Sequence, residues 1–385
     1  MKKILSLILC VILFVDVISL GIILLSKKEN TVSANESETS ANTDNDLLNK
    51  ATVVCAGSNG ANDELFTQAY ARTGSLSYDF AYPYDELTDI ISNADVAFFT
   101  QSSCISSEHN VSAGNVSNSP AELGNRMSKI GFDVVNIATP HCLDLGEKGL
   151  ENSLNFWNEQ GLKAIGAYSS KSNLFEPIIT EANDIKIGWV GFAESTGGNS
   201  LPESSEITVL LSEYESDILK SINAADSVCD IVVVCVDWAN NSGSEISDSQ
   251  RQLAEKLVSY GADVIVGTGP AVIQNVEYIE NQSGTKVPVA YSLGNLISAS
   301  SEKDKLLGGL LTLEISKNKQ TGSVSIESVK LDGVVTHYGH DMTNIRLYLL
   351  SDYDSSLASV HGIKETDDEF SVKYLKKLLN KATNN

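Results

Sequence analysis

The chain has 385 residues, 42% of them hydrophobic and 20% charged, the proportions of a globular protein with a full core. Its formal net charge is −23, and because residues 1–47 hold six acids against four bases, nearly all of that excess belongs to the remainder. A surface so negative repels phosphate backbones and anionic headgroups, which excludes nucleic acid as a partner.

Lys2 and Lys3 precede a run from Ile4 to Leu25 broken only by Ser6, Asp16, Ser19 and Gly21. At 1.5 Å per residue such a run crosses a bilayer core of about 30 Å. It is longer than a signal-peptide core and no small-x-small site closes it, so residues 1–26 are expected as an uncleaved, single-pass signal anchor. Cys10 lies inside this run behind Leu9 and reads as membrane filler. Residues 27–47 are rich in Ser, Asn, Thr and Glu and contain no aromatic, the composition of a disordered polar linker.

Beyond the linker, short apolar strands alternate with helical stretches. Thr52 to Ala56 reads as strand, Asn62 to Ala71 as helix, Val96 to Phe99 as strand, Pro120 to Ile130 as helix, Val134 to Ile137 as strand and Glu147 to Gln160 as helix. Ile185 to Phe192, Ile231 to Val236 and Val264 to Val266 continue the strands, with helices at Glu213 to Ala225 and Ser249 to Tyr260. Val287 to Tyr291, Leu310 to Ile315 and Val324 to Leu331 then follow one another as strands. An order that passes from crossovers to a meander predicts an α/β fold of mixed sheets flanked by helices. The C-terminal stretch, 351–385, is expected as an acidic loop and a final helix, Glu369 to Lys381, that packs on the body with Val372, Leu375, Leu378 and Leu379 at helical spacing.

Five cysteines follow the anchor, with no CxxC pair, so no zinc knuckle is implied. Cys55 and Cys235 sit in apolar strand patterns and are expected as buried thiols. A disulfide between Cys229 and Cys235 stays open. Arg126 and Arg251 are expected in surface pairs, and His109 and His361 as solvated loop residues.

The most informative stretch runs from Gly261 to Ser298, GADVIVGTGPAVIQNVEYIENQSGTKVPVAYSLGNLIS. With VVNIATPHCLDLGEKGL, residues 134–150, it resembles the CapA family, the poly-γ-glutamate capsule synthesis proteins, whose corresponding segments typically read GHHPHVLQ, YSLGNF and VVSLANNHALDYGEEGL. The resemblance covers Thr52 to Leu350, so a CapA-like domain is expected over 48–350. It implies a metallophosphoesterase-like sandwich, with ligands gathered at the C-terminal ends of successive strands.

Five such loops depart from the family pattern. Gly57-Ser58 stands for GD, and Thr100-Gln101-Ser102 for NLE. In the third loop His141, Asp144, Gly146 and Gly149 match, while Thr139 and Pro140 replace two asparagines. Asp237-Trp238-Ala239 stands for HWG, and Thr268, Gly269 and Ala271 occupy three histidine positions. A binuclear centre needs several carboxylate or imidazole donors around each ion, and only His141, Asp144 and Asp237 are offered. Loss of two-metal chemistry follows. The small residues are expected to leave a pocket lined by Ser58, Gln101, Thr139, Asp144, Trp238, Thr268 and Asn295, with His141 and Asp237 as the catalytic candidates. His141 reads equally as a loop histidine fixed by Asp144. His337 and His340, in HYGH, are a second candidate imidazole pair.

The resemblance implies a membrane-attached, extracytoplasmic protein linked to capsule or envelope-polymer synthesis, with that polymer or its synthesis proteins as partners. With most metal ligands absent, the expectation is a binding or assembly component without a cofactor. The alternative is a hydrolase of phosphoesters or amides holding one divalent cation such as Mn or Zn at Asp237, His141 and Asp144.

Overall fold

The computed structural model describes residues 47–383, except 61 and 239–242. The expected spanning run and the linker up to residue 46 lie outside the described residues; among those described, no helix is long and apolar enough to cross a membrane. Contacts divide the chain into two units. One is residues 1–49 with 317–323, whose described part is a tight turn in which the Gly322 amide donates to Asn318 O at 2.8 Å and the Lys319 amide to Leu47 O at 2.9 Å. The other, residues 50–316 with 324–385, is the body.

Among the described residues, fourteen strands form the two large sheets: β1 Leu48–Asn59, β2 Val96–Gln101, β3 Val134–Asn136, β4 Lys163–Ile165, β5 Ile178–Ala182, β6 Ile185–Ala193, β7 Ile231–Asp237, β8 Val264–Thr268, β9 Val276–Glu280, β10 Lys286–Ala290, β11 Asn295–Ile297, β12 Leu307–Asn318, β13 Val324–His337 and β14 Arg346–Leu349. Sheet one has the order β14-β13-β12-β1-β2-β3-β4, with β11 also on β1; sheet two runs β9-β10-β8-β7-β6-β5. The helices are α1 Asp63–Arg72, α2 Ala121–Ile130, α3 Gly146–Glu159, α4 Glu215–Asp226, α5 Asp248–Ser259 and α6 Val372–Thr383, besides shorter turns such as Ala81–Tyr84 and Thr88–Ser92 that the apolar periodicity did not signal. Mixed sheets flanked by helices are therefore as expected.

The central strands form because they are unbroken β-branched runs. Every residue of β7 is buried, as a parallel strand covered on both faces requires. Its alternate side chains serve two cores: Val233 and Cys235 join the large one with Val53, Phe98 and Trp189, and Val232, Val234 and Val236 join a smaller one with Ile218, Ile222, Ala254 and Leu257 of α4 and α5. Phe98 of β2 stacks on Trp189 of β6 at 5.5 Å and 15°, so the two sheets face each other across the large core.

Local signals place the helices. Asn62 caps α1 by accepting from the Leu65 amide at 2.8 Å. Ser247 and Gln250 form a reciprocal capping box on α5, and Gly131, at φ 109°, ends α2 in the left-handed conformation. Cys55 and Cys235 are buried as expected, and Cys229 and Cys235 are both free thiols. Arg126 departs from the surface reading: its side chain is largely buried, donating to Thr88 Oγ1 at 3.1 Å with Asp85 3.9 Å away. The C-terminal helix packs on the body as expected, with Phe370, Leu375 and Ala382 in the large core.

Candidate strand-end site

Parallel register brings the carboxyl ends of both sheets to one level. In sheet one Ser58, Thr100 and Asn136 are successive cross-strand partners, and Asn295 pairs with Ser58 from the other side. In sheet two the corresponding row is Ala193, Asp237 and Thr268. Glycines let the loops close over these ends. A Cβ on Gly57 would meet Gly294 O at 2.2 Å, and one on Gly267 would meet Tyr291 O at 1.9 Å, so the two glycines that open the first and fifth loops are fixed by close backbone approach.

The rows join through hydroxyls. Thr268 Oγ1 lies 3.3 Å from Thr100 Oγ1 and 3.4 Å from Asp237 Oδ2, and its single proton serves one of them at a time. Asp237 is 2% exposed, and its Oδ1 has no hydrogen-bond partner among the described residues. Burial pushes its carboxyl up to about 7; Thr268 opposes the shift and the charge of Glu194 adds to it. The Glu194 carboxyl is itself raised by burial. This second carboxylate escaped the sequence reading, although it follows β6 just as Asp237 closes β7.

The ring is filled. Ser58 is 8% exposed, its amide donating to Gly294 O at 2.9 Å. Asn136 holds both sides of its amide on Ala138, at 3.2 and 3.3 Å, and its Oδ1 occupies the space that side chains at Gly166 and Gly191 would fill. Gln101 accepts from Asn59 Nδ2 at 3.0 Å and donates to Ser103 Oγ at 3.0 Å, while the Tyr84 hydroxyl donates to Asn59 Oδ1 at 2.6 Å. Thr139 donates to Ser102 O at 3.0 Å, and Trp238 Nε1 to Tyr291 O at 2.7 Å. Of the expected pocket lining, Ser58, Gln101, Thr139, Trp238 and Thr268 are thus buried and turned into the protein; Asn295 is half-buried.

His141 stands apart from Asp237. Its side chain is 46% exposed and its Nδ1 lies 2.9 Å from Asp144 Oδ2, which also accepts the Ser117 amide at 2.8 Å. The histidine is thus braced by Asp144, as one of its two readings required. Other histidines differ from expectation. His361 is buried at 1% exposure, its Nε2 donating to Thr336 O at 3.1 Å while Nδ1 accepts the Ile363 amide at 3.0 Å. The turn Gly362–Glu365 folds this loop inward, so its polar sequence does not leave it solvated. His109 is half-buried on Ser106 Oγ at 2.8 Å. His337 pairs with His361, ring centres 4.9 Å apart, and not with His340.

These donors do not fit a two-ion phosphatase centre. One orphaned carboxylate with a second beside it, surrounded by hydroxyls and amides, cannot ring two ions at about 2.0–2.6 Å. Among the described residues, three ligand atoms approach within 4.8 Å of one another only at His340, Asp341 and Glu365, all exposed; His141, Asp144 and Asp237 do not form such a group.

Comparison with known proteins agrees with the motif reading. A family model described as bacterial capsule synthesis protein PGA_cap matches residues 37–300. The PGA biosynthesis protein CapA of Bacillus subtilis (strain 168) is 33% identical over 172 residues, 44% of each chain. The capsule biosynthesis protein CapA of Bacillus anthracis is 27% identical over 175 residues, 44% of this chain and 41% of that one. The chain thus matches less than half the length of either relative. Among solved structures, a 5'-nucleotidase precursor from Thermus thermophilus aligns over 74% of this chain and 54% of its own, at TM-score 0.45 and 14% identity. A phosphatase from Mycoplasma pneumoniae aligns over 75% and 94%, at TM-score 0.41 and 12% identity. Likeness at that level carries no chemistry across.

Proposed function

We propose, from the premise that this chain belongs to the bacterial capsule synthesis protein PGA_cap family, that it is a membrane-anchored, extracytoplasmic component of capsule or envelope-polymer synthesis, acting by binding or assembly without a two-metal centre. One observation carries the reading: the strand ends that would grip two ions hold Ser58, Thr100, Asn136 and Thr268, all buried, around the buried Asp237 carboxylate and its neighbour Glu194. Loss of ligands with retention of the frame leaves a scaffold, and scaffolds act through partners. The polymer and the membrane proteins that make it are the partners this reading names.

Metal analysis of the full-length chain, purified in detergent and mildly dialysed, tests it. Substoichiometric Mn, Zn and Fe is the expected result; two tightly held ions per chain overturn it.

The orphaned Oδ1 of Asp237 favours one second reading, in which that oxygen and Glu194 retain a single divalent cation and a residual hydrolase activity. Metal-dependent turnover of a phosphoester or amide, abolished in Asp237→Ala and kept in His141→Ala, would select it. Loss in both would restore the arrangement that also employs His141.

A further inference from the structure

Helix α6 presents two unlike faces. Leu375 and Ala382 are buried in the large core, with Val372, Leu378 and Leu379 packed against it. Lys373, Lys376, Lys377 and Lys381 recur at i, i+3, i+4 and i+8, so the helical period gathers them in one exposed stripe. Lys381 is tied to Glu245 at 2.6 Å. Lys373, Lys376 and Lys377 have no ion-pair or hydrogen-bond partner among the described residues, and they line a hollow of about 540 Å³ with Ser355 and Asn380. In a chain of 50 acids and 27 bases, acids are at hand to neutralise lysines, as Asp367 and Glu369 do for Lys303. Three neighbouring amines of α6 are left without such an acid among the described residues.

We propose that this lysine stripe docks on the anionic phospholipid headgroups of the bilayer that holds the chain; the proposal rests on the anchor reading above. The acidic body does not forbid it, because charges beyond a Debye length of about 8 Å are screened and only the contacting face counts. Each lysine at an anionic bilayer surface strengthens association about fivefold. Twenty residues, 27–46, span at most about 70 Å of chain, which bounds the distance from anchor to body and fixes no orientation. The stripe supplies the orientation. A bilayer surface meets all three amines at once, since Lys373 to Lys377 rise only about 6 Å along the helix.

The test reconstitutes the full-length chain in nanodiscs of phosphatidylcholine or of phosphatidylglycerol and acylates its amines with a water-soluble succinimidyl ester, read peptide by peptide by mass spectrometry. Lys373, Lys376 and Lys377 are expected to react about fivefold more slowly in the anionic discs, an effect erased by high salt, while exposed Lys129 of α2 reacts alike in both. In K376Q/K377Q, folded as judged by circular dichroism, the protection of Lys373 should disappear. Equal rates in both discs, with the chain inserted in each, overturn the docking and leave the anchor standing. Failure to enter either disc overturns the anchor and the docking with it. Equal protection by a soluble polyanion in the neutral discs assigns the stripe to a polymer and overturns the membrane assignment.

Discussion

The strand-end ring around Asp237 and the imidazole nest around His337 and His361 both sequester titratable side chains in the body, and they are built differently. In the ring, the Asp237 carboxyl accepts a single long hydrogen bond among the described residues, from Thr268 at 3.4 Å, and its Oδ1 has no partner among them. In the nest both nitrogens of His361 are engaged, His337 Nδ1 lies 2.8 Å from the Tyr353 hydroxyl, and Tyr338 and Phe370 close on His361 at 4.3 and 4.5 Å. A satisfied buried group is scaffold, whereas an unsatisfied one carries a cost in stability.

The two regions also respond to pH with opposite sign. Burial raises Asp237 from 3.8 to about 7, so the folded state holds this proton more tightly than the unfolded one; the resulting stability is complete below pH 3.8 and is lost as pH rises through about 7. Burial lowers His337 and His361 from 6.5 to about 4, so here the unfolded state binds protons more readily. Their contribution is complete above pH 6.5 and is lost as pH falls through about 4. Between pH 4 and 7 the slopes oppose, and removing one region should uncover the other.

The largest effect is expected from His361→Ala. It removes two buried hydrogen bonds, to Thr336 O and from the Ile363 amide, and the ring contacts with His337, Tyr338 and Phe370, a loss of roughly 3–4 kcal/mol. Denaturant unfolding at about pH 7.5 measures it, and limited proteolysis should find the segment after Tyr353 newly cleavable. A loss under about 1 kcal/mol would break the comparison, because the nest would then not be scaffold.

Asp237→Asn should act the other way. Above pH 7 the wild type carries a buried charge that asparagine lacks, so the variant is expected to gain on the order of 1–3 kcal/mol at pH 8 and nothing at pH 4. With Asp237 silenced, the remaining pH dependence between 4 and 6.5 should show stability rising with pH as the histidines dictate. A variant equally destabilised at both values would show that this carboxyl holds the ring together.

How much of this was legible in the sequence follows from burial. The central strands β1, β2, β6, β7 and β8 announced themselves as apolar runs because both faces are covered. The edge strands β5 and β9 did not, since their half-exposed faces carry Glu181, Glu277 and Glu280 and no clean alternation. Strand ends at Ser58, Thr100, Asp237 and Thr268 were placed by motif, yet their inward closure depends on cross-sheet contacts that no local pattern encodes. Glu194 was readable by position, as a carboxylate directly after an apolar strand. His361 was not, because its burial comes from the core contact of Phe370, nine residues on.

Thr268→Val isolates the side-chain hydrogen bond that joins the ring's rows among the described residues. The hydroxyl contributes most when Asp237 is charged, so its loss is expected to cost about 1 kcal/mol above pH 7 and clearly less below pH 5, read from paired unfolding curves. The same cost at both pH values would mean that the contact with Thr100, and not the carboxylate, is what the hydroxyl serves.

His141→Ala should be the smallest effect and the sharpest discriminator. The imidazole is half-exposed, its partner Asp144 keeps the Ser117 amide when the ring is gone, and one hydrogen bond from a group open to water contributes no more than about 1 kcal/mol. Stability is therefore expected to change by no more than about 0.5 kcal/mol. A larger change would make His141 a structural brace like His361. An unchanged fold that loses binding to envelope polymer or to its synthesis proteins would instead mark this loop as the contact surface, and would put the working face of the protein at the one motif histidine that remains open to solvent.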